Sequence, residues 1–342
     1  MEIQSPAPPP AMPQTTLIAA CLLVIATILL AAALSYTRSI MIPFVFSLFL
    51  SYFVAPWVGH LKARWKFPHW LAVMTSIAAL VGIITFFVLV LRGSILNMIT
   101  SFAVYEERLA LLSQQAIDFF ARFDIALDEA SVRNRIRDLP LFSYLQSAAG
   151  TAVNILLHVL LVIVFLIFLV SGKGIGTPKA GIGAEIDDKI RNYIVTKILS
   201  NLLTAICVWI VYFSVGLDFP LMFATLCFLL CFIPTLGSIV ATLLPVPVAL
   251  VQYQEAWPVW TILLFPTLIQ VVIGNILEPK FLGRGLDLHP ITILISLMFW
   301  SLIWGIAGMF LAVPITAALK IVLDKHPITH QFSELLAGRS PI

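Results

Sequence analysis

Runs of apolar residues long enough to cross a bilayer recur along the chain, at about 17–36, 39–59, 69–91, 148–171, 194–215 and 257–277. Two further apolar stretches, about 219–252 and 289–322, are longer and interrupted. An unbroken helix of that length would run about 50 Å, well beyond a hydrocarbon core of roughly 30 Å. The first stretch carries Pro234 and Gly237 near its middle, then Pro245 and Pro247; the second carries Gly305 and Gly308, then Pro314. Proline lacks the amide proton and clashes with the preceding turn. Each stretch is therefore expected to fold as two arms around a break, either a re-entrant hairpin or two short spans. The pattern predicts an all-α polytopic membrane protein with six full spans and two Pro/Gly-broken helical hairpins, eight apolar segments in all.

A short phrase introduces both broken stretches: Gly216-Leu217-Asp218-Phe219-Pro220 before the first, and Gly285-Leu286-Asp287-Leu288-His289-Pro290 before the second. Span plus hairpin at 194–252 and again at 257–322 reads as an inverted repeat, and broken segments in matching halves point to a transporter's binding region. Basic residues set the orientation. Lys62, Arg64 and Lys66, then Lys173, Lys179, Lys189 and Arg191, then Lys280 and Arg284, then Lys320 and Lys325 all fall on one side if both long stretches return to the side they entered. That side is the cytoplasm, with both termini inside, Asp218 at the outer face and Asp287 at the inner face.

The remaining organisation follows. Residues 1–16 are Pro-rich and read as a disordered tail; 17–91 hold spans one to three; 148–193 hold span four and a cytoplasmic loop; 323–342 form a cytoplasmic tail. Residues 92–147 are the one substantial polar region. There Ile95, Met98, Phe102, Leu109, Leu112, Ala116 and Phe119 recur at helical spacing, which predicts an extracytoplasmic amphipathic helical insert. A second, short helix is expected at Ser131 to Asp138. The apolar face of the insert suits contact between subunits of a homo-oligomer.

Composition narrows the function classes. The chain of 342 residues is 61% hydrophobic and 11% charged, against roughly a quarter charged in soluble domains. A net charge of +3 gives no basic field for nucleic acid. The first apolar run follows no Lys or Arg and is long enough to span, so it reads as a span, not a cleaved signal. Cys21, Cys207, Cys227 and Cys231 all lie in apolar runs and read as core-filling thiols. No metal site, cofactor or hydrolytic motif is expected, and the chain does not read as an enzyme. Asp218 and Asp287 sit on opposite sides, which excludes an aspartyl dyad.

Candidate chemistry lies in polar residues inside apolar runs, which are costly and tend to mark pathways. Asn154 and His158 sit one turn apart, as do Lys197 and Asn201; Lys197 is open to two roles, marking a pathway or snorkelling towards the cytoplasmic edge. Gln270, Asn275 and Glu278 close the sixth span. Glu278 is open to three roles: cation or proton handling beside Asn275, a latch to Lys280 or Arg284, or a solvated helix end. At the hairpin tips, Pro234, Thr235, Gly237 and Ser238, and Trp304, Gly305, Gly308 and Pro314, are expected to line the pathway, where broken helices offer backbone carbonyls and amides. Phe299, Trp300 and Trp304 suit an amphipathic organic solute or an interfacial belt. Asp218, Asp287 and His289 mark the hairpin entrances.

The run Phe232-Ile233-Pro234-Thr235-Leu236-Gly237 resembles the Phe-Ile-Pro-x-x-Gly signature of the autoinducer-2 exporter family of bacterial permeases. Asn275-Ile276-Leu277-Glu278-Pro279 followed by Gly285-Leu286-Asp287-Leu288-His289-Pro290 resembles its second motif, and Trp304-Gly305-Ile306-Ala307-Gly308-Met309 leading to Leu311-Ala312-Val313-Pro314 its third. The resemblance runs from about Ile42 to Leu323. It implies an oligomeric inner-membrane transporter with an extracytoplasmic insert, whose relatives are associated with export of autoinducer-2 and in some cases with sodium/proton antiport. A small polar solute, a coupled proton or monovalent cation such as sodium, and the lipid bilayer are the expected partners. An ion channel and a non-transporting membrane scaffold stand as alternatives. Thr235 and Ser238 depart from the family pattern, where an aromatic residue and Pro are common.

Overall fold

A computed structural model describes residues 14–100, 152–172, 181–282, 286–325 and 329–339. Among these residues the secondary structure is entirely helical. The helices are α1 (Gln14–Tyr36), α2 (Arg38–Trp65), α3 (His69–Thr100), α4 (Ala152–Ser171), α5 (Ile182–Val215), α6 (Pro220–Leu230), α7 (Leu236–Leu243), α8 (Val246–Gln252), α9 (Ala256–Val272), α10 (Glu278–Leu282), α11 (Pro290–Trp304), α12 (Ile306–Asp324) and α13 (His330–Leu336). A π-helical turn, Ile273–Leu277, joins α9 to α10. Over the described residues each of the six predicted spans is helical, residues 148–151 of the fourth lying outside them. Five segments are long and apolar enough to cross a membrane: Arg38–Trp65, His69–Met98, Gly183–Val215, Ala256–Phe281 and Ile306–Asp324. The chain is thus a polytopic helical membrane protein. Large apolar side chains such as Leu29, Phe168, Phe213, Leu268 and Leu302 face outward, as lipid requires.

Two boundaries move. Helix α5 begins twelve residues before the expected 194, at Ile182, because its charged first turns are helix-compatible. Glu185 pairs with Lys189 one turn on, at 3.1 Å. Helix α3 runs on to Thr100, so Ile95 and Met98 continue the third span. The rest of the expected insert, residues 101–147 with its second helix, lies outside the described residues, as do the Pro-rich start before Gln14, Lys173, Lys179 and Arg284.

Both broken stretches fold back on themselves. In the first, α6 ends at Leu230, the chain turns, and α7 and α8 return. At its base the Gln252 side chain closes the loop: its Nε2 donates to Gly216 O (2.7 Å) and its Oε1 accepts from the Asp218 amide (2.8 Å). The Tyr253 hydroxyl donates to Val215 O at 3.1 Å. In the second, α11 and α12 meet at Gly305, whose φ of 62° and ψ of −139° only glycine adopts readily. Lys320, fifteen residues past that turn, pairs with Asp287 at 2.6 Å, and the Trp300 indole donates to Thr316 Oγ1 at 3.2 Å. Entrance and exit of each stretch therefore lie together.

The arms differ in reach. At 1.5 Å per residue, α6 is about 16 Å long, whereas α11 and α12 are about 22 and 28 Å. The outgoing arm of the first hairpin is thus the shorter, and both arms of the second are long. Helices α5 and α9 run antiparallel, since Lys197 meets Glu278 while Val208 and Tyr212 share a core with Ile262. Each hairpin follows the C-terminal end of its long helix, so the two bases sit at opposite ends of that pair.

Candidate functional site

Glycine marks both tips. A Cβ on Gly237 would lie 1.8 Å from the Leu230 carbonyl oxygen, and one on Gly308 would lie 1.9 Å from that of Trp300. Each returning arm therefore crosses its outgoing arm at backbone contact. The first tip adds strain. Thr235 has φ 59° and ψ −57°, and the Leu236 amide donates to Pro234 O at 2.6 Å, a γ-turn of the uncommon hand. A β-branched residue rarely adopts such a backbone. Its hydroxyl donates to Pro234 O (2.7 Å), while Ser238 Oγ donates to Thr235 O (2.8 Å). Thr235→Gly is expected to raise thermal stability by about 1 kcal/mol through strain relief, read from the unfolding midpoint of the purified protein. An unchanged or lower midpoint would mean that the hydroxyl contact outweighs the strain.

The tips meet each other. Phe232 stacks on Phe310 at 5.8 Å, and Ile233 shares a core with Trp300, Trp304 and Leu311. Ring contacts continue from Phe232 through Phe228 to Phe87 on α3, and from Phe310 to Phe46 on α2. Both breaks are thus apolar-sealed at their junction. Trp304, expected near the second tip along the pathway, is buried, and its indole donates to Leu34 O of α1 at 3.0 Å. Gly308 and Pro314 are buried as well, whereas Gly305 and Thr235 are exposed.

The polar centre lies beneath the first tip. Thr196, Lys197, Ser200, Asn201 and Thr204 form a buried stripe along one face of α5. Lys197 Nζ donates to both carboxylate oxygens of Glu278, at 2.9 and 3.0 Å. Both side chains are largely withdrawn from solvent, 11% and 15% exposed. Lys197 therefore does not snorkel, and Glu278 finds its partner across the helix pair instead of at Lys280. The π-helical turn explains the geometry. With i→i+5 bonding it fits an extra residue into the turn and lowers the rotation per residue, so Glu278 no longer shares a face with Asn275: the carboxylate meets α5 and Asn275 stays exposed. Such turns recur at functional sites. One turn further along α5, Asn201 Nδ2 donates to Phe228 O at 3.4 Å, a carbonyl in the last turn of α6. The pair is thereby linked to the first break.

Gln270 of α9 reaches the returning arm of the first hairpin, its Nε2 donating to Thr242 Oγ1 at 2.9 Å. Among the described residues, Ser200 Oγ, Tyr212 Oη and Gln270 Oε1 are buried without a hydrogen-bond partner, a costly arrangement. Cys227 and Cys231 sit nearby with sulfurs 3.8 Å apart. Ser200 and Thr204 were readable in the sequence as continuations of the Lys197–Asn201 spacing, but hydroxyls alone gave no reason to select them.

The predicted entrances lie at the hairpin bases, but neither aspartate caps a helix. Phe219 and His289 hold the N-cap positions of α6 and α11, and His289 Nδ1 accepts from the Ile291 amide at 3.3 Å. Asp287 instead gathers Lys320 and Arg339, the latter at 3.1 Å. The hydrogen bond from Lys320 holds its carboxyl below the usual carboxylate range, with further help from the charges of Lys320, Arg339 and Lys189. Being depressed, it keeps the cluster ionised at neutral pH and would release it only in acid.

Paired long helices, each followed by a folded-back broken segment, with a buried ion pair between them, define the class: a polytopic helical membrane transporter. The family profile described as "AI-2E family transporter" matches residues 20–327. The chain belongs to that family. A putative transport protein of Borreliella burgdorferi is 29% identical over 330 residues, covering 92% of this chain and 89% of its own length. A putative transport protein of Haemophilus influenzae is 30% identical over 332 residues, covering 91% and 94%. The AI-2 transport protein TqsA of Escherichia coli is 27% identical over 310 residues, covering 87% and 89%.

Proposed function

We propose that this transporter is an alternating-access carrier that exports a small polar solute, with autoinducer-2 as the solute. The observation that carries the reading is the Lys197–Glu278 pair, which joins α5 to the end of α9 and reaches the first break through Asn201. Buried charges so placed are costly, and in a membrane protein they mark pathways. In the proposed cycle the first hairpin, re-entrant and strained at Thr235, moves against α5 and the pair opens. Protonation of Glu278 by a coupling proton, or displacement of Lys197 by sodium, would open it, after which Ser200 and Gln270 face the solute. The bacterial inner membrane with both termini cytoplasmic is the proposed setting, and a homo-oligomer the proposed assembly.

The TqsA relative, by its name a transport protein for AI-2, supports the choice of solute. Proteoliposomes loaded with autoinducer-2 test the reading. Saturable efflux that depends on a proton or sodium gradient is expected. No flux above empty vesicles would remove the solute, and unitary conductance steps in planar bilayers would replace the carrier by a channel.

A further inference from the structure

The end of the chain is tied to the hairpin that the transport reading sets in motion. Helix α13 lies across the base of the second hairpin. The His289 amide and the Thr292 hydroxyl both donate to Leu336 O, at 3.1 and 2.9 Å. Arg339 Nη2 donates to both Asp287 oxygens, at 3.1 and 3.2 Å. Gly338, at φ 75°, lies against the His289 ring, where an added Cβ would stand 2.4 Å from His289 Cδ2. The opposite flank of the strap holds the end of α12: Ser333 Oγ donates to Asp324 at 3.2 Å and Thr329 Oγ1 to Leu323 O at 2.8 Å. Lys325, just past α12, pairs with Glu185 of α5 at 2.7 Å. Both ends of the second hairpin are thus held by one short helix.

Its grip is local and reversible in kind. Arg339 is 59% exposed and Asp287 44% exposed, and exposed ion pairs are individually weak and screened by salt. Asp287 itself sits at φ 52°, an uncommon backbone for a non-glycine residue. The strap therefore adds to the hold that Lys320 already has on Asp287, at the point where α11 begins.

We propose that the C-terminal helix is a releasable strap that clamps the base of the second hairpin and sets how readily that hairpin moves. The link to transport rate rests on the carrier reading above; the clamp itself does not. Releasing the strap frees the His289 amide and relaxes the Asp287 turn without touching the Lys197–Glu278 pair.

The test is amide hydrogen exchange of the full chain in lipid nanodiscs, comparing wild type with Arg339→Ala and Gly338→Ala. The first removes an exposed side chain, and the second adds one methyl that the His289 ring excludes. Exchange over 286–293 is expected to rise about two- to five-fold in Arg339→Ala and by more in Gly338→Ala, with exchange over 236–252 unchanged. A further rise is expected for wild type in about 0.5 M salt, from screening. Unchanged protection over 286–293 overturns the strap. An equal rise in both segments also overturns it, because that marks general loosening. The readout needs no solute, so failure to transport autoinducer-2 would leave it intact.

Discussion

Lys197→Met lowers the stability of the folded protein by about 3–5 kcal/mol, because it leaves the Glu278 carboxylate buried opposite a thioether. Glu278→Met is expected to cost a similar amount for the mirrored reason. The double variant Lys197→Met/Glu278→Met behaves differently. With both charges gone and the volume filled, stability returns to within about 1 kcal/mol of wild type, or exceeds it. Chemical or thermal unfolding of the purified protein reads this directly. Additive losses in the double variant would show that the two side chains do not act as a pair.

The second large effect comes from glycine. Gly237→Ala and Gly308→Ala each place a methyl group inside van der Waals distance of a main-chain carbonyl. No rotamer change can relieve contact with backbone, so the arms must separate. A loss of about 3 kcal/mol or more is expected for each, seen as poor recovery of folded protein and a lowered unfolding midpoint. Gly82→Ala in α3 is the control. Nothing lies within 4 Å of its added Cβ, and ordinary helix propensity predicts a gain of up to about 1 kcal/mol. If Gly237→Ala behaved like Gly82→Ala, the close crossing of the first hairpin would be wrong.

Much of this architecture was legible in the chain because membrane helices obey a strong rule. Every main-chain group must be paired, so span length and its excess show in the hydropathy alone. The excess length of 219–252 and 289–322 announced the hairpins, and Pro234, Gly237, Gly305 and Gly308 located their turns. The site was less legible. Lys197 was visible as a charge in an apolar run, but its partner lies 81 residues away, and long-range pairing leaves no periodic trace. Asn275 and Glu278 looked like neighbours on one helical face, an inference that assumes 3.6 residues per turn. The π-helical turn breaks that assumption, and nothing in Ile273-Gly274-Asn275-Ile276-Leu277 declares it. Trp304 was chosen as an aromatic near a break, yet its indole is held by the Leu34 carbonyl, a contact set by tertiary packing. Asp287 was visible as an entrance; its second partner, Arg339, lies 52 residues further on, a pairing that no local pattern declares.

The buried Lys197–Glu278 pair is proposed to serve transport and not folding. That role is tested by measuring autoinducer-2 efflux from proteoliposomes in wild type and the Lys197→Met/Glu278→Met double variant, at matched protein and matched unfolding midpoint. A stably folded double variant is expected, with flux that falls to that of empty vesicles. Flux equal to wild type in that variant would contradict it, and would leave Lys197 and Glu278 as a structural tie.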